Sequence, residues 1–330
     1  MKKLITLALI IALLTGLLAG CTGRGSNDDT YLIGILQYLD HPALTAAHDG
    51  FVARLAEHGF TEGEGGNVTF VFRNAGRDAS VAAQMAEYLV SREPDLILTI
   101  ATGASQAVAR ATEDIPIVIT AVTCPYTAGL IDSFEEPGRN VTGISDLTPV
   151  AGQIDLITRL LPDTQVIGLL YNSGEVNSVF QADLARQAIR AHGGLSYVVA
   201  NAPSLLEVGD VTQSLVGRVD VIYVPTCNTV AGAYAAVMLV ADEAGIPVVV
   251  GESAGVNYGA LATEGIDYYL LGRQTADMAA QILRGEAAPS TMPIQWQQEE
   301  GVLSINIDTA ARLGITIPDE VLSKAQIVRD

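Results

Sequence analysis

The chain has 330 residues, 18 basic against 37 acidic, for a formal net charge of −19. Lys324 is the only lysine beyond Lys3, so no basic stripe follows a phosphate backbone and nucleic acid is excluded as a partner. The same acidity excludes electrostatic adhesion to anionic lipid, and the length supplies core for about two domains.

Lys2 and Lys3 precede an apolar stretch from Leu4 to Leu18 that ends in Leu18-Ala19-Gly20-Cys21. This is the pattern of an export signal with a small-residue cleavage site, too short for the ~20 residues of a membrane span. It resembles a bacterial lipobox. The resemblance implies removal of residues 1–20, a lipid on Cys21, and a mature protein anchored to a membrane without spanning it. Residues 21–30 then form a lipidated, flexible tether.

From Tyr31 onward the chain repeats itself. Ile33-Gly34-Ile35-Leu36 opens a strand-then-helix run that closes at Gly59, and Ile167-Gly168-Leu169-Leu170 opens another that closes at Gly193, both with a Gly-to-Gly spacing of 25 residues. Strands are expected at Leu32–Gln37, Val68–Phe72, Leu96–Ile100, Ile117–Thr120 and Val141–Ser145, with helices near Ala43–His58, Ala79–Arg92 and Gly103–Thr112. The second half is expected to run Val166–Tyr171, helix Phe180–His192, Ser196–Val199, helix Ser204–Leu215, Val221–Val224, helix Val230–Ala244 and Val248–Val250. After Tyr258 come a strand near Ala260–Thr263, a helix at Arg273–Arg284, and terminal segments around Ile294 and Leu303. Apolar strands alternating with helices predict an α/β protein of two similar lobes, each a parallel sheet flanked by helices, with a ligand cleft between them. The lobes are expected at 31–147 plus about 258–300, and at 148–257 plus about 301–330.

Ligands of open α/β sheets bind beyond the carboxyl ends of the strands. After the third strand, Thr102-Gly103-Ala104-Ser105 starts a helix with hydroxyls and free backbone N–H groups. That start suits a carboxylate, or is a plain N-cap. Gln37 and His41 follow the first strand. In the second half, Tyr171-Asn172 leads into Glu175-Val176-Asn177-Ser178, and Val224-Pro225 leads into Thr226-Cys227-Asn228. A catalytic alternative is Gly251-Glu252-Ser253-Ala254-Gly255, which matches the nucleophile-elbow pattern and would make Ser253 the nucleophile of an extracellular hydrolase. The elbow should open a helix and have its histidine downstream, whereas His41, His48, His58 and His192 all precede Ser253. Neither a phosphate-binding glycine loop nor the close His/Cys spacing of a zinc site is present. No metal or cofactor is expected.

Five motifs together resemble one family: Gln37 with His41-Pro42-Ala43-Leu44, Ala101-Thr102-Gly103, Asn140-Val141-Thr142-Gly143-Ile144-Ser145-Asp146, Glu175-Val176-Asn177-Ser178, and Gly265-Ile266-Asp267-Tyr268-Tyr269-Leu270-Leu271-Gly272. The chain is similar from about Tyr31 to Ile317 to substrate-binding lipoproteins of ABC transporters, in the group that includes tryptophan and tyrosine binders. The resemblance implies a periplasmic-binding-protein type I-like fold on the extracytoplasmic face, at the cell surface or in the periplasm. It implies capture of a small solute by lobe closure and delivery to a permease with a separate ATPase. It implies no chemistry on the ligand, and a monomer is the default for a carrier that docks with a permease. A ligand-sensing lipoprotein that feeds a signalling receptor shares this fold and remains an alternative.

An amino acid in such a cleft needs donors for its carboxylate and acceptors for its ammonium. Thr102 and the helix start behind it, with Asn177 or Ser178 from the other lobe, are assigned to the carboxylate. Glu252 and Asp267 are the candidates for the ammonium, each with a solvated loop acid as its alternative. Tyr38 and Tyr171 could supply flat apolar walls or lobe packing. Ser145, Asn172, Glu175, Thr226 and Asn228 complete the expected site. Where the resembled pattern carries Asp, this chain has Cys124 and Cys227. The two thiols are expected either to be buried and inert, or to face each other across the cleft as a disulfide or a soft-ligand pair.

Overall fold

The computed structural model describes residues 30–297 and 301–329. The signal segment, Cys21 and all but the last residue of the expected tether lie outside the described residues. The first sheet contains β1 (Tyr31–Gln37), β2 (Val68–Asn74), β3 (Leu96–Ile100), β4 (Ile117–Val122), β5 (Val141–Ser145) and, at its edge, β11 (Gln295–Trp296). Its order is β11-β5-β4-β3-β1-β2 and every pairing is parallel. The second sheet contains β6 (Val166–Tyr171), β7 (Ser196–Asn201), β8 (Val221–Val224), β9 (Val248–Val250), β10 (Ala262–Gly265), β12 (Val302–Asn306) and β13 (Gln326–Val328). Its order is β13-β12-β10-β9-β8-β6-β7, parallel except for the antiparallel pair β10 and β12.

Strands β3, β4, β5, β8 and β9 are buried at every residue, and apart from Thr, Gly and Ser their residues are apolar, as a sheet covered on both faces requires. The edge strands β2 and β7 expose part of their length. Helices α1 (Pro42–Glu57), α2 (Ala79–Val90) and α3 (Thr102–Ala111) cover the first sheet; α4 (Val150–Leu160), α5 (Val176–His192), α6 (Val208–Gln213), α7 (Asn228–Ala231) and α8 (Tyr234–Ala244) cover the second. After β10 the chain returns to the first lobe as α9 (Tyr268–Leu283), and the short α10 (Ile307–Arg312) and α11 (Asp319–Leu322) end the second. Sequence-derived starts carry their signals: Pro42 occupies the first turn of α1, and the Asp78 carboxylate accepts from Ser80 N at 2.7 Å and Val81 N at 3.0 Å to cap α2.

Two differences from the sequence reading share one cause. Helix α4 was not anticipated, and the strand expected to return to the first lobe after Tyr258 is β10, which pairs with β9 and β12 of the second sheet. Leu261 and Ala262 are buried against Leu156 and Leu160 of α4. With that helix unseen, nothing marked the second lobe as their destination. The return therefore falls after Gly265, and residues 258–265 move from the first lobe to the second.

The returning helix is held by direct backbone contact. A Cβ on Gly50 of α1 would lie 2.0 Å from Tyr269 O, and one on Gly272 of α9 would lie 1.9 Å from Ala47 O. The two helices thus cross with no side chain between them. Gly272→Ala is expected to destabilise the protein by about 1–3 kcal/mol, a melting-temperature loss of several degrees. Gly209→Ala in α6, where the new Cβ meets only an ordinary contact at 3.8 Å, should leave stability unchanged or raised. Calorimetry of the two variants beside the parent checks the contrast.

Candidate functional site

The carboxyl ends of both sheets face each other, and the loops there enclose a cavity between the lobes. Leu39, His41, Ala43, Leu44, Ala121, Thr123, Asp146 and Tyr268 line it from the first lobe; Asn177, Thr226, Cys227, Asn228, Ala231 and Glu252 line it from the second. The crossing of α1 and α9 fixes two of these groups, because His41 immediately precedes α1 and Tyr268 is the first residue of α9. Ala121, at the end of β4, has a φ of 55°, in the region normally left to glycine. The β4–β5 register shifts between Ile119 and Val122, which turns Thr123 towards the cavity.

The lobes are shut. Arg77 Nη1 of the first lobe donates to Thr229 Oγ1 of the second at 2.8 Å, and Gln181 Nε2 of the second donates to Thr123 Oγ1 of the first at 3.1 Å. His41 Nε2 stands 3.7 Å from Glu252 Oε1 across the gap. The cavity left between the lobes is about 30 Å³, room for roughly two waters, so the lobes must part to admit any larger solute.

What remains inside is a set of buried groups with unmet atoms. His41, Asp146 and Glu252 are 6%, 4% and 3% exposed. Among the described residues, His41 Nε2, Asp146 Oδ1 and Glu252 Oε1 have no hydrogen-bond partner. Asp146 Oδ2 accepts from Tyr268 OH at 2.9 Å. Burial, with a smaller contribution from the Glu252 charge, pushes the Asp146 carboxyl up to about 6, against the stabilising bonds from Tyr268 and Thr123. Burial and the facing carboxylates also hold Tyr234 and Tyr268 well above the usual phenol range. Two dehydrated carboxylates, one from each lobe, with oxygens pointing at the same space, form an acceptor site for a cation.

The expected residues divide three ways. His41, Asn177, Thr226, Asn228 and Glu252 line the cavity. Glu175 and Ser178 form a cluster beside it, where the Glu175 carboxylate accepts from Asn228 N at 2.8 Å, Asn228 Nδ2 at 2.9 Å, Thr229 N at 2.8 Å and Ser178 Oγ at 3.4 Å. Asn172 joins it by donating from Nδ2 to Thr229 Oγ1 at 2.8 Å. Others are turned to structural work. Gln37 Nε2 donates to Leu39 O at 2.7 Å, Ser145 Oγ donates to Thr123 O at 2.7 Å, and Asp267 caps α9 through Leu270 N at 3.1 Å. The Tyr171 ring packs in the second lobe's core with its hydroxyl accepting from Arg186.

The carboxylate site expected at Thr102 and Gly103 is not at the cavity. The Tyr38 ring lies over the start of α3 so closely that a Cβ on Gly103 would be 2.5 Å from Tyr38 Cε2. Thr102 is buried there without lining the cavity. Tyr38 is thus a cover for that helix start, half-buried and facing Glu175, rather than a wall of the cavity. Both thiols are free and buried, which is the first of the two alternatives and rules out the disulfide. Cys227 lines the cavity but Cys124 does not. Burial and the nearby Glu175 push the Cys227 thiol up to about 12, and its sulfur accepts from Asn172 N at 3.3 Å. It remains protonated and is a poor soft-metal ligand. No group of three or more His, Cys, Asp or Glu side chains able to hold a metal occurs among the described residues. Ser253 opens a 3₁₀ turn, Ser253–Tyr258, and not the helix a nucleophile elbow requires.

Asp146 and Tyr268 were within the quoted motifs but not singled out. Each stands just past the end of a regular element, after β5 and at the start of α9, and that position is the signal that could have found them.

The Asp146 shift fixes a pH dependence. The shut cleft binds the Asp146 proton more tightly than an opened, hydrated one. Acidification therefore favours the shut form, with the effect developing as pH falls from about 6 towards the ordinary carboxyl range near ~4. Small-angle scattering of the ligand-free protein should show a more compact particle at pH 4.5 than at pH 7, with roughly a twentyfold change in the shut-to-open ratio. Asp146→Asn should already be compact at pH 7 and lose the dependence.

Comparison with known proteins agrees with this geometry. Residues 32–329 match the family model described as ABC transporter substrate binding protein. A protein named tyrosine-binding protein from Clostridioides difficile is 36% identical over 323 residues, covering 94% of this chain and 92% of its own. The structure of an ABC domain in complex with L-Trp from Streptococcus pneumoniae superposes with a TM-score of 0.87 at 36% identity, covering 91% of this chain and 100% of its own. A ligand-free, open structure of a substrate-binding protein with adhesive properties from Clostridium difficile gives only 0.70 at 39% identity, covering 91% of this chain and 99% of its own. The weaker superposition at slightly higher identity fits lobes that are shut here. The architecture is periplasmic-binding-protein type I-like, and no helix of the described residues is long and apolar enough to cross a membrane. The chain belongs to the family of ABC transporter substrate-binding proteins, the extracytoplasmic capture components of these transport systems.

Proposed function

We propose that this protein captures an aromatic L-amino acid and presents it to a membrane permease driven by a separate ATPase. The observation that carries the reading is the pair Asp146 and Glu252, one carboxylate from each lobe, each with an unpartnered oxygen in the cavity. An α-ammonium between them satisfies both and draws the lobes together. Leu39, Leu44, Ala121 and Ala231 offer apolar lining to the ligand's side chain once the lobes part to admit it. The relatives named for tyrosine and solved with L-Trp support the ligand class. Lipid on Cys21, after removal of residues 1–20, would hold a monomer at the outer face of the membrane within reach of the permease.

Thermal unfolding against a panel of amino acids, nucleosides, sugars and organic acids tests the ligand class. L-Tryptophan, L-tyrosine or L-phenylalanine at 100 times its dissociation constant should stabilise by about 2.7 kcal/mol. Glu252→Gln should weaken that ligand by roughly ten- to a hundredfold, the loss of one charge-assisted hydrogen bond. A shift only with sugars or nucleosides would reject the assignment. Cys21→Ser is expected to release the protein from the membrane fraction and abolish incorporation of labelled fatty acid, which checks the anchor.

A further inference from the structure

The cavity's unmet groups are unequal in kind. Two are carboxylate oxygens, on Asp146 and Glu252, and the third is the imidazole nitrogen of His41, on side chains all more than nine-tenths buried. The lining amides around them are already engaged by the protein itself. Asn177 Nδ2 donates to Thr226 O at 3.0 Å, and Asn228 Nδ2 donates to Glu175 Oε2 at 2.9 Å. No Arg or Lys lines the cavity among the described residues.

From this we infer that the cleft recognises the positive charge of its ligand and does not require a carboxylate, so that aromatic amines lacking that carboxylate are ligands as well. The inference rests on the aromatic amino-acid reading above and narrows what the site measures. The charge balance carries it. Asp146 and Glu252 together bring two negative charges into a dry space, where an uncompensated charge is costly. One ammonium meets them, and the unpartnered Nε2 of the His41 ring stands 3.7 Å from Glu252 beside the same space. An amine then lowers the site's negative charge and adds none of its own. A zwitterionic amino acid adds a further negative charge for which the lining holds no cation, so its carboxylate contributes little to affinity. A deaminated aromatic acid brings only negative charge and is rejected.

Calorimetric titration of the purified protein at pH 7 with L-tryptophan, tryptamine, L-tyrosine, tyramine and indole-3-propionate decides it. Tryptamine or tyramine is expected to bind within tenfold of its parent amino acid, and indole-3-propionate more than a hundredfold more weakly than L-tryptophan. Amines more than tenfold weaker than amino acids that do bind would overturn this inference and leave the amino-acid reading standing. Absence of binding by both amino acids and amines would overturn both. Asp146→Asn provides the second measurement: it should weaken amine and amino acid alike by at least tenfold, and an amine whose affinity is unchanged in that variant would also sink the proposal.

Discussion

Everything about the cleft follows from the dehydration of two carboxylates. Asp146 and Glu252 come from different lobes, and each retains hydrogen-bonding capacity that the protein leaves unmet when the lobes shut. A carboxylate whose proton affinity is raised to about 6 by burial carries an electrostatic penalty of about 3 kcal/mol at neutral pH. That penalty opposes closure of the empty protein. It disappears when a cation takes the place of the lost water. The direction of the conformational equilibrium is thus set by the ligand's charge, before any question of side-chain fit.

For this to work the two acids must be aimed at one point, and the fold spends its least forgiving contacts on the aim. The glycine crossing of α1 and α9 fixes His41 and Tyr268 in a single rigid unit, and Tyr268 in turn holds one oxygen of Asp146. The register shift of β4 against β5 places Thr123 beside the same carboxylate. On the other lobe, Glu252 caps the 3₁₀ turn that follows β9, its Oε2 accepting from Ala254 N at 3.3 Å. One oxygen of each acid is therefore held by the protein while the other is left for the ligand. A carboxylate oriented by a bond to its own lobe can select a partner by position as well as by charge.

Sequence made the sheets legible and the site only half so. Strands such as Leu96–Ile100 and Val221–Val224 are buried at every residue, and a short, mostly apolar, β-rich run bounded by turn residues is the pattern of a strand covered on both faces. Helix α4 escaped because its buried stripe, Val150, Ile154, Ile157 and Leu160, is broken between the first two by Gln153, a buried polar residue whose amide donates to Glu264 O at 2.6 Å. Single residues at strand ends were harder still. Thr102 and Asp267 have the right chemistry at the right topological place, but one lies beneath Tyr38 and the other caps α9. Whether a polar side chain at a strand end meets a ligand or its own backbone depends on packing from a distant part of the chain, which local pattern does not encode. Glu252 and His41 were found because each stands where no local backbone group uses all of its capacity.

A carrier must also be readable by its permease, and the division of the acids between lobes provides for that. A ligand shifts an equilibrium only by its difference in affinity for the two states. A cation that touched Asp146 alone would bind the open and shut forms nearly equally and leave the lobes apart. On the proposed reading, a cation held by both Asp146 and Glu252 gains contacts with the lobes drawn together, as where Arg77 meets Thr229 and Gln181 meets Thr123, that it lacks when they part. Those cross-lobe bonds, one part-buried and one buried, are worth about 0.5–1.5 kcal/mol each, against the penalty of about 3 kcal/mol that burial puts on Asp146. On the proposed reading a ligand cation compensates the two acids, and the shape offered to a permease reports occupancy through that compensation.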